Sequence, residues 1–298
     1  MNRRFYTLDV FTTFPLAGNP LAVVLDSDEL DDAMMQSIAR EFNLSETVFV
    51  FPPQDSANRA ALRIFTPASE LPFAGHPTVG TAVLLAVLNG KTSASFGLEE
   101  KIGRVDCVVS SDQAGKGEAV FTLPRLPERV GDAAPRALIA EALGVSSDEI
   151  GFDAHEPMIA SAGVGFTFVP LNSKDAVTRA SIEGASWNEA FGAAGRPNAF
   201  IYSRETVETE HHFHARMFAP HLGVGEDPAT GSAVGAFARA FVDFEQPCDG
   251  TTRVIIEQGY AMGRPSQIML EVDCAGGVLK AARIGGSAVI VSEGMLRV

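Results

Sequence analysis

Arg63-Ile64-Phe65-Thr66-Pro67, followed by Gly75-His76-Pro77-Thr78-Val79-Gly80-Thr81-Ala82, returns later in the chain. The second copy reads Arg216-Met217-Phe218-Ala219-Pro220, followed by Gly231-Ser232-Ala233-Val234-Gly235-Ala236. Each copy has the pattern of a strand, a loop, a glycine turn and an apolar helix. The copies start 153 residues apart in a chain of 298. Chance can repeat Arg-x-Phe-x-Pro, but it is a poor account of the same glycine-led helix entry following it twice. The repeat therefore predicts two related domains, 1–126 and 127–285, jointed in the loop around Pro124 to Pro135. The closing strand, 286–298, is expected to complete the first domain.

Other segments fill in this frame. Phe5 to Phe11, Thr47 to Phe51, Leu62 to Phe65 and Phe213 to Met217 read as strands. Val254 to Glu257, Gln267 to Val272 and Ala288 to Val291 add three more. Asp31 to Phe42 and Pro135 to Leu143 have the spacing of amphipathic helices. Val79 to Leu88 and Val234 to Val242 are apolar and alanine-rich, as buried helices are. Many strands around few apolar helices predict a mixed α/β (α+β) protein in which each central helix is wrapped by sheet.

Composition narrows the function. The 23 Lys and Arg face 37 Asp and Glu, a net charge of −14. Such a balance speaks against nucleic acid, which recruits basic patches, and against an anionic membrane surface. It leaves room for a small anionic substrate, because helix ends bind anions without basic side chains. The most apolar stretch, Val79 to Leu88, is far too short for a membrane span. Three scattered cysteines, with no CxxC, predict a reducing compartment and a cytoplasmic protein without a metal.

The two glycine-led helices are the first candidates for chemistry. A helix N-terminus carries unpaired N–H groups and about half a positive charge. Glycines at 75 and 231 allow a ligand close to the backbone. Two such ends facing one cleft would hold a small carboxylate from both sides. The plain alternative is a pair of ordinary helix starts. Other motifs fail: Gly223-Val224-Gly225-Glu226-Asp227-Pro228 is not a dinucleotide turn, and Ser232 is not preceded by the lysine of a P-loop. Ser232 is also misplaced for a nucleophile elbow, being second in its run. His212 and His214, two apart on a strand, would share a face and lack a third ligand.

Glu46, His76 and Asp227 are the acid–base candidates. Glu46 stands three residues after Asn43, as in a capping box, yet strand-forming residues follow rather than a helix. A carboxylate entering an apolar strand is desolvated, which suits proton transfer. His76 follows Gly75 at the helix entry, where an anion would sit. Asp227 precedes Pro228, which also fits a simple turn.

Asp9-Val10-Phe11 with Gly18-Asn19-Pro20-Leu21-Ala22-Val23, Ser45-Glu46-Thr47, Phe73-Ala74-Gly75-His76-Pro77-Thr78, Gly225 to Ala233 and Gly285-Gly286-Ser287-Ala288 together resemble the phenazine-biosynthesis PhzF-like family. The resemblance spans the whole chain. It implies two pseudo-symmetric domains of diaminopimelate epimerase-like fold, each a barrel-like mixed sheet around a central helix, with the site in the cleft between. It implies a homodimer with no cofactor. The family's best-understood reaction is isomerisation of trans-2,3-dihydro-3-hydroxyanthranilate, in which a glutamate matching Glu46 moves a proton between ring carbons. His76, Asp227 and Ser232 match further site positions, and Gly75 and Gly231 match backbone positions near the substrate.

The related epimerase uses a cysteine at each helix entry. Here those entries carry His76 and Ser232, so a two-thiol mechanism is excluded. The expected function is a cofactor-independent isomerase acting on a small carboxylate through one glutamate. The alternatives are a non-cysteine epimerase or racemase using Glu46 and Asp227 as opposed bases, and a catalytically silent anion-binding homologue. Substrate choice is expected to lie in loops outside the motifs, such as 204–210 and 157–166.

Overall fold

The computed structural model describes residues 2–112, 114–195, 197–220 and 224–298. Gly223, first residue of the rejected dinucleotide-type run, lies outside them. The chain divides into two compact units, Met1–Pro124 with Ile284–Val298, and Arg125–Arg283. It is a mixed α/β protein.

The first unit contains β1 (Asn2–Val10), β2 (Asn19–Val24), α1 (Asp32–Phe42), β3 (Glu46–Phe51), β4 (Ala60–Phe65) and β5 (Glu70–Leu71). These are followed by α2 (Gly75–Leu88), β6 (Ser93–Glu100), β7 (Gly103–Ser111) and β8 (Lys116–Thr122). The strands pair in the order β1, β2, β3, β4, β6, β7 and β8. The last long strand of the chain, β17 (Val278–Arg297), bonds to both β8 and β1. Eight strands thus close on themselves. The pairs β2–β3 and β4–β6 are parallel, and a parallel pair needs a crossover. Helix α1 supplies the first crossover and α2 the second.

The two helices differ in what they bury. Asp31 caps α1 by accepting a hydrogen bond from the Met34 N–H, as its position in the sequence predicts. One stripe of α1, Met35, Ile38 and Ala39, packs on Val24, Phe49 and Phe65, and the opposite face is solvated. Helix α2 is buried from Gly75 to Ala86 and packs on β1, β2, β3, β6, β7 and β8. It runs inside the ring, which is why its sequence is apolar on every side.

The second unit repeats this scheme. It contains β9 (Glu128–Asp132), α3 (Arg136–Leu143), β10 (Met158–Ser161), β11 (Gly165–Pro170), α4 (Lys174–Arg179), α5 (Trp187–Phe191) and β12 (Ala199–Ser203). Next come β13 (Phe213–Ala219), β14 (Val224–Asp227), α6 (Gly231–Glu245), β15 (Gly250–Gln258) and β16 (Ser266–Ala275). The pairing order is β9, β10, β11, β12, β13, β15 and β16, with β11–β12 and β13–β15 parallel. Helix α6 packs on β9, β10, β11 and β16. Helices α3, α4 and α5 bury Ile139, Val177, Trp187 and Phe191 in a separate cluster against Val169 and Ile201.

Several expectations need correction. Strand β1 stops at Val10, because Phe11 has φ +64°, outside the strand region. Both central helices begin at the glycine itself, earlier than their apolar runs suggest. The stretch 157–166 is mostly the β10–β11 hairpin rather than a loop. Alternation along β13 predicts one wet face, yet all seven residues are buried. Its polar members, His214 and Arg216, are buried because each has an acidic partner. Among the described residues no helix is long and apolar enough to cross a membrane.

Candidate functional site

One candidate cluster lies wholly in the first unit. Between β1 and β2 the chain reverses through Gly18, at φ +65°. A Cβ there would lie 2.3 Å from the Val10 carbonyl oxygen, so only glycine fits. The turn sets Asn19 opposite Val10 at the head of β2. Asn19 is fully buried, and its Nδ2 donates to His76 Nδ1 at 3.3 Å. An amide nitrogen only donates, so Nδ1 is the acceptor. Burial pushes the His76 imidazole down to about 3. The ring is therefore neutral at physiological pH, with its proton on Nε2.

That Nε2 lies 3.2 Å from Glu46 Oε2. The two atoms are at contact distance without hydrogen-bond alignment in this conformation. Glu46 opens β3, in parallel register with Leu21 of β2, and its side chain is 16% exposed. Asn43, which sequence spacing pairs with Glu46 as a capping box, instead closes α1 in the left-handed region at φ 51°. The capping-box reading of Asn43 and Glu46 thus fails, and Glu46 is positioned by the sheet. Neighbouring strands deliver Asn19 and Glu46 to the same helix entry, where Gly75 and His76 open α2. Ala74, the N-cap, has no side chain that can bond to the first-turn N–H groups.

A second carboxyl group secures this entry. Glu100, on β6, is 8% exposed, and its Oε1 is 2.7 Å from Thr78 Oγ1. Thr78 Oγ1 is also 2.8 Å from the Ala74 carbonyl oxygen, which only accepts. A hydroxyl has one hydrogen. That hydrogen can go to the Ala74 carbonyl or to the Glu100 carboxyl, and a protonated Glu100 lets both contacts form at once. Burial pushes Glu100 up to about 8, in agreement. The usual glutamate value is near 4.3, so between these limits the unfolded chain is ionised and the folded chain is not. This contribution to stability is complete below about pH 4.3 and is lost as pH rises through 8. Glu100→Gln keeps a neutral donor and is expected to be more stable than the parent at pH 8 by several kcal/mol. Urea unfolding at pH 5 and pH 8 checks this, and a parent equally stable at both values would refute a protonated Glu100.

A second candidate cluster lies wholly in the second unit. Asp227 ends β14, and its Oδ2 accepts from Thr230 Oγ1 at 2.5 Å. Thr230 is the N-cap of α6, but its hydroxyl serves Asp227 and makes no cap hydrogen bond. Gly231, buried, and Ser232, half-buried, open the helix. The Asp227 carboxylate is half-buried.

The structure shows a deeper repeat than sequence reading found. Arg63 forms a two-pronged pair with Glu70, Nε to Oε1 at 2.8 Å and Nη2 to Oε2 at 2.7 Å. Arg216 does the same with Glu226, at 2.9 and 2.8 Å. Each guanidinium also lies over the phenylalanine two residues on, Phe65 at 5.2 Å and Phe218 at 4.7 Å. Glu70 and Glu226 each stand five residues before the helix glycine, within Glu-x-Pro-x-x-Gly. That spacing is the signal that reading from the arginines alone passes over. The pairs tie β4 to β5 and β13 to β14, which fixes where each helix entry starts.

His212 and His214 do not act together. His212 Nδ1 accepts from the Ile255 N–H, whereas His214 Nδ1 binds Glu257 at 2.7 Å. The partner of His214 is His211, also 2.7 Å from Glu257. Burial alone would raise Glu257. The hydrogen bonds from His214, the Val207 N–H, His211 and the Glu208 N–H overcome it and hold the carboxyl down at about 2. Glu257 thereby anchors the 204–210 loop. Among the described residues no group of three or more His, Cys, Asp or Glu side chains is arranged to hold a metal ion. Cys107 and Cys274 are buried on β7 and β16, Cys248 is exposed, and none is at a helix entry.

The chain is similar in sequence and fold to known proteins. The family model described as phenazine biosynthesis-like protein matches residues 8–294. An uncharacterized isomerase of Mesorhizobium japonicum is 49% identical, over 99% of this chain and 98% of its own. The trans-2,3-dihydro-3-hydroxyanthranilate isomerase of Pseudomonas aeruginosa is 34% identical over 98% of each chain. A solved phenazine biosynthesis protein of the PhzF family from Bacillus anthracis superposes with TM-score 0.89, covering 100% of both chains at 25% identity.

Proposed function

The chain belongs to the phenazine biosynthesis-like family and is an enzyme of the isomerase class, and from that premise we propose that it moves a proton on a small carboxylate related to dihydrohydroxyanthranilate, with Glu46 as the carrier. The observation that supports this most is Glu46 beside a neutral His76. Glu46 takes a proton from a substrate carbon, and the C–H electrons shift into the neighbouring double bond. The same carboxyl returns the proton to a second carbon. Atoms balance without an added oxidant or cofactor. A neutral imidazole spares the carboxylate the neighbouring positive charge that would make it a weak base. His76 and Asp227 are proposed to stabilise or relay the developing negative charge. Gly75, Gly231 and Ser232 are proposed to bind the carboxylate at the N-termini of α2 and α6.

The test is an ultraviolet time course with trans-2,3-dihydro-3-hydroxyanthranilate in H2O and D2O. The shuttle is expected to consume the probe and move its double bond. Recovered probe that is deuterated and inverted at one carbon would support an epimerase instead. A probe left unchanged would move the search to other small carboxylates.

A further inference from the structure

We propose that Gln258 is a positioning residue for Asp227, acting by setting the direction of the Thr230 hydroxyl. This rests on the reading of Asp227 as a site residue. Gln258 ends β15 and is fully buried. Its Oε1 accepts from the Thr230 N–H at 3.1 Å. Its Nε2 donates to the Asp227 carbonyl oxygen at 2.7 Å and to Thr230 Oγ1 at 3.2 Å. The Thr230 N–H can only donate and the Asp227 carbonyl can only accept, so the amide has one workable orientation. Both amide hydrogens are then used. Because Thr230 Oγ1 receives one of them, its own hydrogen is directed to Asp227 Oδ2, 2.5 Å away.

The backbone enforces this meeting. Gly259, at φ +80°, follows Gln258, and a Cβ there would lie 2.6 Å from the Pro228 carbonyl oxygen and 2.3 Å from that of Arg264. Only glycine lets the end of β15 press against the Asp227–Thr230 turn. Side chains alternate along a strand, so Glu257 faces the other way and holds Val207 and Glu208. Gln258 is therefore devoted to the turn. A hydroxyl that donates to a carboxylate favours its ionised form. The Gln258 amide thus holds Asp227 as an oriented anion.

The titration of the Asp227 carboxyl carbon tests this directly, by NMR of protein labelled with 13C-aspartate and with Asp227→Asn as the assignment control. Gln258→Leu is expected to raise the Asp227 midpoint by about half a pH unit or more, because the Thr230 hydroxyl is released to other acceptors. Gln258→Glu, which keeps the shape but loses both donors, is expected to raise it at least as far. Thr230→Val is expected to raise the midpoint too, and Thr230→Ser to keep that of the parent. In the Thr230→Val background Gln258→Leu is expected to add nothing, since its route is gone. An unmoved midpoint in both Gln258 variants overturns the proposal, as does an undiminished effect in the double variant. A parent protein inert toward the dihydrohydroxyanthranilate probe defeats the substrate reading and leaves this titration unaffected.

Discussion

Glu46→Gln is expected to reduce isomerisation of the probe by at least about a thousandfold, a barrier increase of about 4 kcal/mol. Removing a general acid–base group typically costs 10²–10⁴-fold, and here one group serves both halves of the transfer. The folded protein is expected to survive. Glu46 is held in the sheet through its backbone pairing with Leu21, so an amide of the same shape leaves the sheet as it was. Progress curves beside a thermal scan measure both effects. Activity within tenfold of the parent, a change of only about 1.4 kcal/mol, would remove Glu46 from the role of proton carrier.

Arg216→Leu is expected to cost about 3–5 kcal/mol of stability, well above the same change at Arg63. The two arginines make the same pair, but their surroundings differ. The Arg216 side chain is 11% exposed, and its Nη1 also donates to the carbonyl oxygens of Val177, Thr178 and Ala180 at the end of α4. Its loss leaves a largely buried Glu226 without that partner and strips three carbonyls at once. The Arg63 side chain is 26% exposed, and Lys101 also reaches Glu70, at 2.5 Å. Arg63→Leu therefore leaves Glu70 with a cation, and a cost of about 1 kcal/mol is expected. Urea unfolding of both variants checks the order. Equal costs would show that the guanidinium–carboxylate pair matters and the α4 carbonyls do not.

Much of the architecture was legible because its signals are local. The Arg-x-Phe-x-Pro repeat, the glycine-led apolar helices and the Asp31 cap each lie within a few residues of one another. The structure then shows the same strand pairings on both sides of the repeat. Where local pattern misled, tertiary burial was the reason. The alternation of β13 suggested a wet face, but His214 and Arg216 are buried with Glu257 and Glu226. Asn43 and Glu46 had the spacing of a capping box, but the helix lies before Asn43 and not after it.

The sequence by itself determined the fold class, the two helix entries and the identity of the residues at them, because periodicity, glycine and capping act over one or two turns of chain. Only the tertiary structure decided what those residues do to one another. Asn19 meets His76 across 57 positions, and Gln258 reaches Asp227 across 31. Such partners are chosen by sheet register and by how closely two backbones pass, which no local pattern encodes. The raised Glu100 carboxyl has the same origin, since its burial beside Thr78 comes from the packing of β6 on α2.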